Sequence, residues 1–196
     1  MIAYSMGDSL YVNVTNRCTN NCTFCIRHTS PGVGGYNLWL KEEPSVEEML
    51  AAIGDPTRFK EVVFCGYGEP LIRVDEVIQV ARALKARYRI PIRINTNGQA
   101  NLIHGRNVVP ELAGLVDVVS ISLNAESAEK YQSLSHSRYG PAAYQAVLDF
   151  ARECAKYIPR VVLTVVDVPE VDIEASRQIA RDLGVEFRVR HYDLNL

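Results

Sequence analysis

Cys18, Cys22 and Cys25 stand at Cx3Cx2C spacing, with Phe24 directly before the last of them. Thiolates bind iron-sulfur clusters and zinc, and three packed into eight residues suit a metal centre better than a disulfide framework. A 4Fe-4S cubane has four iron corners and usually takes four cysteines, so three ligands leave one iron open to a non-protein group. Zinc is the competing reading, because His28 follows closely and a site of three thiolates and one imidazole is chemically sound. Structural zinc sites normally draw on two separated ligand pairs, which favours the cluster. Only Cys65 and Cys154 remain, too few for a second cluster ligated by four cysteines. Cys154 falls near a helical apolar stripe and reads as core filling, and Cys65 reads as packing at a strand end.

A second group of residues with chemical potential is Gly66, Tyr67, Gly68, Glu69 and Pro70. Glycines let backbone approach a ligand closely, and exposed carbonyls can accept from an ammonium group. An ordinary glycine turn is the plainer alternative. Further along, Asn95 and Asn97, then Ser122 and Asn124, then Arg188, Arg190 and His191 place polar side chains at or near the ends of β-rich runs.

The elements that must position these groups alternate along the chain. Runs at 10–15, 61–65, 91–95, 117–123, 160–166 and 185–191 predict six strands. Between the first two, Ser45 to Glu48 forms a capping box after Pro44. Val74, Val77, Ile78, Ala81 and Leu84 recur at helical spacing, as do Tyr144, Val147, Leu148 and Ala151, and Asp172 and Gly184 bracket a last helix. This order predicts an α/β fold with a parallel sheet curled into a partial (βα)6 TIM-type barrel, since a complete barrel uses about eight units. The loop after the first strand, where the cysteines lie, is at the end where barrels place chemistry.

Strand alternation adds a prediction about the interior. One face reads Leu10/Val12/Val14, Ile92/Ile94, Val119/Ile121/Leu123 and Phe187/Val189, which suits packing beneath helices. The other carries Asn13/Thr15, Arg93/Asn95/Asn97, Ser120/Ser122/Asn124, Thr164 and Arg188/Arg190, and should look inward. Each polar group left unsatisfied there would cost about 1–3 kcal/mol, so a polar ligand or water is expected to fill the space.

The 196 residues are 47% hydrophobic and read as one domain over 1–196, with the cluster loop at 16–44. A net charge of -2 supplies no general attraction to nucleic acid or anionic membrane. The basic run Arg82, Lys85, Arg87, Arg89 and Arg93 reads as a solvated face around a helix end. The first residues lack a basic segment followed by an apolar stretch, and no apolar run approaches spanning length, so a cytoplasmic protein is expected. The long stretch 26–43, made pliable by Gly32, Gly34 and Gly35, reads as a lid. Its Tyr36 and Trp39 either cap the barrel mouth or touch substrate, or else pack over the barrel edge; Tyr67 reads as aromatic lining. Arg190 either holds an anionic substrate or pairs with Glu186 or Asp193.

The Cx3Cx(aromatic)C motif and the GxGEP segment together resemble the radical S-adenosylmethionine (SAM) superfamily. Over nearly the whole chain, stretches such as 14–18, 33–40 and 187–192 are similar to its TatD-associated members. The resemblance implies that Cys18, Cys22 and Cys25 hold three irons of a 4Fe-4S cluster and that SAM chelates the fourth. It implies further that Phe24 lies near the adenine and that Gly66, Gly68 and Glu69 surround the methionine ammonium. Asn95 to Gly98 and Ser122 to Asn124 resemble family segments that contact SAM, with Asn124 replacing the more usual Asp. Arg138 either pairs with the SAM carboxylate or is a solvated surface residue, and Val166 matches an apolar adenine contact loosely. The activity implied is a SAM-derived radical acting on a small molecule or nucleotide, with a protein-modifying activase or a zinc-stabilised interaction module as alternatives. Implied partners are an electron donor such as flavodoxin or ferredoxin and a TatD-type hydrolase, with nucleic acid left open.

Overall fold

The computed structural model describes residues 1–28 and 33–192. Among them, seven strands form one sheet in chain order: β1 (Ala3–Met6), β2 (Ser9–Asn13), β3 (Glu61–Cys65), β4 (Ile92–Thr96), β5 (Val118–Ser122), β6 (Arg160–Val166) and β7 (Glu186–Arg190). From β2 onward every neighbouring pair is parallel, so each crossover steps in the same direction and the sheet curls without closing. The six expected strands are all present. Sequence reasoning missed β1, which pairs antiparallel with β2 through a turn holding Gly7 at φ 56°. Its four residues carry no apolar alternation, and the pairing rather than the pattern makes the strand.

The helices are α1 (Val46–Ile53), α2 (Val74–Arg87), α3 (Ala100–His104), α4 (Val109–Leu112), α5 (Ala128–Ser135), α6 (Ala142–Tyr157) and α7 (Ile173–Leu183). The capping box of α1 is formed in both directions between Ser45 and Glu48, and Asp172 and Gly184 cap and stop α7 as the sequence predicts. The short helices α3, α4 and α5 have no counterpart in the sequence reading. Among the described residues, no helix is long and apolar enough to cross a membrane.

The two faces of the sheet divide as the alternation requires. Val12, Phe64, Ile94, Ile121 and Leu163 are fully buried beneath α2 and α6, where Val77, Ala81, Val147 and Phe150 complete the core. The opposite, inward face is polar and partly satisfies itself. Arg93 places two guanidinium nitrogens on Glu61, at 2.7 and 3.0 Å, and a third on Asn95 at 2.8 Å, while Ser9 donates to Glu61 at 2.7 Å. Arg93 therefore leaves the supposed basic run for the barrel interior. Lys85 leaves it too, donating to Ile90 O and Asp117.

The stretch after Cys25 begins with a single turn at Ile26–His28, and Gly32 lies outside the described residues. Gly34 and Gly35, both at positive φ, then form a tight turn bridged by Val33 and Tyr36. The chain beyond crosses the inward face at the β1–β2 edge. Leu38 is buried there with Tyr4 and Tyr67, and Asn13 donates to Leu38 O at 2.5 Å and Met1 O at 3.1 Å. Two hydrogen bonds between Asn16 and Leu40 secure its end.

Adjacent residues of β5 offer a direct check on the two faces. Ile121→Ala should cost about 2–5 kcal/mol in denaturant unfolding, as truncation of a packed core side chain does. Ser120→Ala, on the polar side, should stay within about 1 kcal/mol. Equal costs would contradict the assignment.

Candidate active site

Cys18, Cys22 and Cys25 are half-buried and line one cleft of about 320 Å³ at the C-terminal ends of the strands. The loop carrying them is fixed by a buried polar network around Gln99, which is wholly inaccessible. Thr19 donates to Gln99 Oε1 at 2.7 Å, and Gln99 Nε2 donates to Asn20 Oδ1 at 2.8 Å and to the Tyr131 hydroxyl at 2.7 Å. Asn97 donates to Thr19 at 2.9 Å. Backbone bonds from Asn21 N to Ser135 O and from Thr23 N to Leu134 O lay the loop on the end of α5. Thr19, Asn20, Gln99 and Tyr131 were not singled out in the sequence, because their roles arise from partners up to 111 residues away.

The thiols sit among donors. Asn20 N lies 3.4 Å from Cys18 Sγ, Asn97 Nδ2 lies 3.8 Å from it, and Asn124 Nδ2 lies 3.9 Å from Cys22 Sγ. Burial pushes the Cys18 thiol up, with the Glu69 charge adding, and pushes Cys22 up to about 12, with the neighbouring thiols adding. Such a wall disfavours bare thiolates, a preference that a bound metal reverses. Amide donors aimed at sulfur are also a means by which proteins tune iron-sulfur clusters. Among the described residues, no three Cys, His, Asp or Glu side chains converge as ligands of a single metal ion. His28 is exposed and bonded through Nε2 to Asn21 at 2.9 Å. The three thiols thus suit separate corners of a cluster better than one zinc ion.

Gly66 and Gly68 both line the cleft, but the close approach that demands glycine is to the protein itself. A Cβ on Gly66, where φ is +127°, would fall 2.1 Å from Asn13 Oδ1. One on Gly68 would fall 2.3 Å from Thr15 O and 2.4 Å from Arg17 O. The segment is pressed against the root of the cysteine loop, and Glu69 N donates to Arg17 O at 2.7 Å. The protein's own packing therefore requires glycine at both positions, and their backbone remains part of the cleft wall. Glu69 lies in the cleft wall, 2% exposed, with its carboxylate already engaged by Leu71 N, Thr96 Oγ1 and Asn97 N at 3.0, 2.7 and 2.6 Å. Burial raises its pKa to about 7 against the pull of those donors.

Asn95, Asn97, Ser122, Asn124, Val166 and Phe24 also line the cleft. Asn124 adopts φ +65°, a left-handed conformation that Asn tolerates and that is common at functional sites. Its Nδ2 donates to Ser135 at 3.0 Å, while its buried Oδ1 has no hydrogen-bond partner. An orphaned acceptor on this wall is suited to a ligand hydroxyl or amine. Arg138 is different. Its side chain is exposed, lies over the Tyr139 ring at 5.7 Å and is not part of the cleft wall; its backbone N–H, bonded to Thr19 O at 2.9 Å, is what serves the cysteine loop.

Cys65 faces the cleft, accepting from Asn95 at 3.5 Å, rather than packing into the core. Cys154 is fully buried in the core, as expected. Tyr36, Trp39 and Tyr67 gather beside the cleft rather than in its wall. Tyr36 tilts against Tyr4 at 5.8 Å, and half-exposed Trp39 meets the edge of buried Tyr67 at 5.0 Å. On β7, Arg190 reaches the cleft and lies 3.4 Å from Ser122 Oγ, while Arg188 lies 3.4 Å from Ser120 Oγ. Glu186 pairs with Arg160 at 2.6 Å instead of with Arg190, and Asp193 lies outside the described residues. His191 lines the cleft rim with Nδ1 on Asp167 at 2.6 Å.

An open parallel barrel with a three-cysteine loop after its first parallel strand defines a class, and comparison with known proteins agrees. The family model for the radical SAM superfamily matches residues 12–183, and the chain belongs to that superfamily. It is a radical SAM enzyme, and enzymes of this family use a 4Fe-4S cluster and SAM. A probable dual-specificity RNA methyltransferase RlmN from Trichormus variabilis is 27% identical over 175 residues, covering 83% of this chain and 46% of that protein. A probable GTP 3',8-cyclase from Methanothermobacter marburgensis is 30% identical over 133 residues, covering 67% of this chain and 40% of the relative. The chain thus spans less than half the length of either relative. Among solved structures, a radical SAM methyltransferase from Sphaerobacter thermophilus superposes with a TM-score of 0.60 at 17% identity, covering 99% of this chain and 70% of that one. Methylornithine synthase superposes with a TM-score of 0.59 at 15% identity, covering 94% and 53%. Both show the same partial-barrel fold.

Two outcomes follow from the wall of the cleft. Gly68→Ala must displace the backbone of the cysteine loop, so it should destabilise the fold by several kcal/mol and lower iron retention, read by thermal melting and metal analysis. Glu69 binds a proton more tightly folded than unfolded, so between about pH 4.5 and 7 the folded state holds more protons and stability falls as pH rises. Relative to Glu69→Gln, the cluster-free parent should lose up to about 3 kcal/mol across that window. A flat difference would contradict the burial of an ionising carboxyl there.

Proposed function

We propose that Cys18, Cys22 and Cys25 ligate three irons of a 4Fe-4S cluster and that SAM occupies the fourth through its amino and carboxylate groups. Held by these residues, the cluster and SAM would supply one-electron reductive cleavage of the sulfonium carbon-sulfur bond and, from it, hydrogen-atom abstraction from the substrate. The observation carrying this reading is that three half-buried thiols share one cleft with an orphaned amide oxygen on Asn124.

The chain's own residues then have distinct tasks. Backbone carbonyls of the 66–69 segment accept from the N–H groups of the methionine amine, since the Glu69 carboxylate is already committed to three protein donors. Phe24 and Val166 supply apolar surface for the adenine, and Asn124 Oδ1 with Ser122 accepts from the ribose. Asn95 and Asn97 hold the strand-4 side of the cleft. Arg138 has no part in binding the SAM carboxylate in this reading, because its side chain is turned outward. Trp39, Tyr67 and Tyr36 shield the mouth from water as a packed aromatic edge. The protein's contribution is thus orientation and exclusion of solvent, while the cofactor carries the bond chemistry.

The substrate is a small molecule or nucleotide. The polar interior supports this reading, and so do relatives whose names specify RNA and GTP as what they act on. The residues form one domain with its cluster loop at 16–44, act in the cytoplasm, and take electrons from a donor such as flavodoxin or ferredoxin. The similarity of 14–18, 33–40 and 187–192 to TatD-associated members supports membership of that subfamily and a TatD-type hydrolase as partner.

Anaerobically reconstituted protein with SAM and a chemical reductant should release 5'-deoxyadenosine. Replacing Cys18, Cys22 or Cys25 with Ser should abolish release together with bound iron and sulfide, whereas Cys65→Ala should retain its iron. A fully loaded protein that never releases 5'-deoxyadenosine, or one that binds zinc in place of iron and sulfide, would refute the proposal.

A further inference from the structure

We propose that Arg188 and Arg190 form the binding site for a phosphate monoester group of the substrate, a reading that rests on the barrel interior being the substrate chamber. The two residues share the inward face of β7, opposite Thr164 and Val166 of β6. Their guanidinium groups extend across β6 to the next strand, where each lies 3.4 Å from a serine hydroxyl, Ser120 for Arg188 and Ser122 for Arg190. Two planar forks and two hydroxyls therefore face one stretch of the interior. Arg190 lines the cleft that holds the cysteines, and Arg188 lines a second hollow of about 280 Å³ toward the other end of the strands. A group held between them would leave the rest of its molecule pointing toward Cys18, Cys22 and Cys25.

The charges around the pair leave it without a protein counter-ion. Glu61 lines the same hollow as Arg188 and feels its charge, but it already takes two bonds from Arg93 and one from Ser9. Glu186 holds Arg160 through two bonds, and Asp167 holds His191 and Tyr192 N. Among the described residues, neither Arg188 nor Arg190 makes an ion pair. An anion between Arg188 and Arg190 would meet two guanidinium groups that no described carboxylate pairs with.

Charge and shape distinguish the anion. A single carboxylate neutralises one of the two arginines and offers two oxygens. A phosphate monoester carries about -1.5 to -2 at pH 7 and offers three acceptor oxygens, enough for both forks and both hydroxyls.

Calorimetric titration of the cluster-loaded protein with methyl phosphate, and separately with acetate, tests this. Methyl phosphate should bind at least about tenfold tighter than acetate, and binding should weaken with added salt. Arg188→Gln and Arg190→Gln should each weaken methyl phosphate binding about 10- to 100-fold, and Arg188→Lys, which keeps the charge but loses the fork, should weaken it less. Iron and sulfide content of Arg188→Gln should match the parent, which separates loss of the site from loss of the fold. Acetate binding as tightly as methyl phosphate, or methyl phosphate binding untouched by both Gln variants, would overturn the inference. Release of 5'-deoxyadenosine by a parent that ignores methyl phosphate would overturn it alone and leave the radical reading standing.

Discussion

Gln99 has no contact with solvent, so each polar atom of its side chain must find a partner inside the protein, and those partners are Thr19, Asn20, Tyr131 and Ser137. Breaking such a buried set exposes no new water to its members, so each orphaned group costs about 1–3 kcal/mol. The network therefore admits one placement of the loop between Cys18 and Cys25 relative to the end of β4 and the start of α5. In the proposed function a cluster held by three thiols would depend on this, because hydrogen bonding rather than a fourth protein ligand would order the loop. The Gly68 contact with Thr15 O and Arg17 O sets the root of the same loop from the opposite side.

A second constraint runs the length of the interior. In a fully closed barrel, apolar layers fill the space between strands. Among the described residues the sheet has six parallel strands and is not closed, and the inward positions carry Asn13, Arg93, Asn95, Ser120, Ser122, Arg188 and Arg190. Some of these satisfy each other, as Arg93 and Glu61 do. Others do not: Asn13 Oδ1 and Asn124 Oδ1 are buried without a partner, and the two arginines of β7, which border the hollow spaces, meet only serine hydroxyls. The fold's stability rests on the outer layer of Val, Ile, Leu and Phe beneath α2 and α6, which frees the inner face for ligand chemistry.

Much of this was legible in the residues. Alternation on each strand separated Ile121 from Ser120 and Val189 from Arg190, because a period of two survives any tertiary context in which one face is buried. Ser45 with Glu48, and Asp172 with Gly184, marked helix ends because capping is local chemistry. The cysteine spacing marked the loop for the same reason. What escaped was long-range. Gln99, Tyr131 and Asn20 matter through contacts spanning 32 to 111 residues, and nothing local distinguishes them from surface amides and a core tyrosine. Strand β1 exists because β2 offers it a free edge. For Arg138 the sequence left a SAM contact and a solvated surface place both open, and its exposed side chain lies over the Tyr139 ring. At Gly66 and Gly68 nothing local signals the second close approach, that of the protein's own backbone and Asn13, because those partners are distant in the chain.

The claim on which all else depends is that Cys18, Cys22 and Cys25 leave one iron without a protein ligand. Mössbauer spectra of iron-57-loaded protein, recorded with and without SAM, address it most directly. The account requires one iron of the four to shift to a distinct, more highly coordinated environment when SAM is added, while the other three hold their parameters. Four irons that respond identically or not at all, in a protein with full iron and sulfide content, would contradict it.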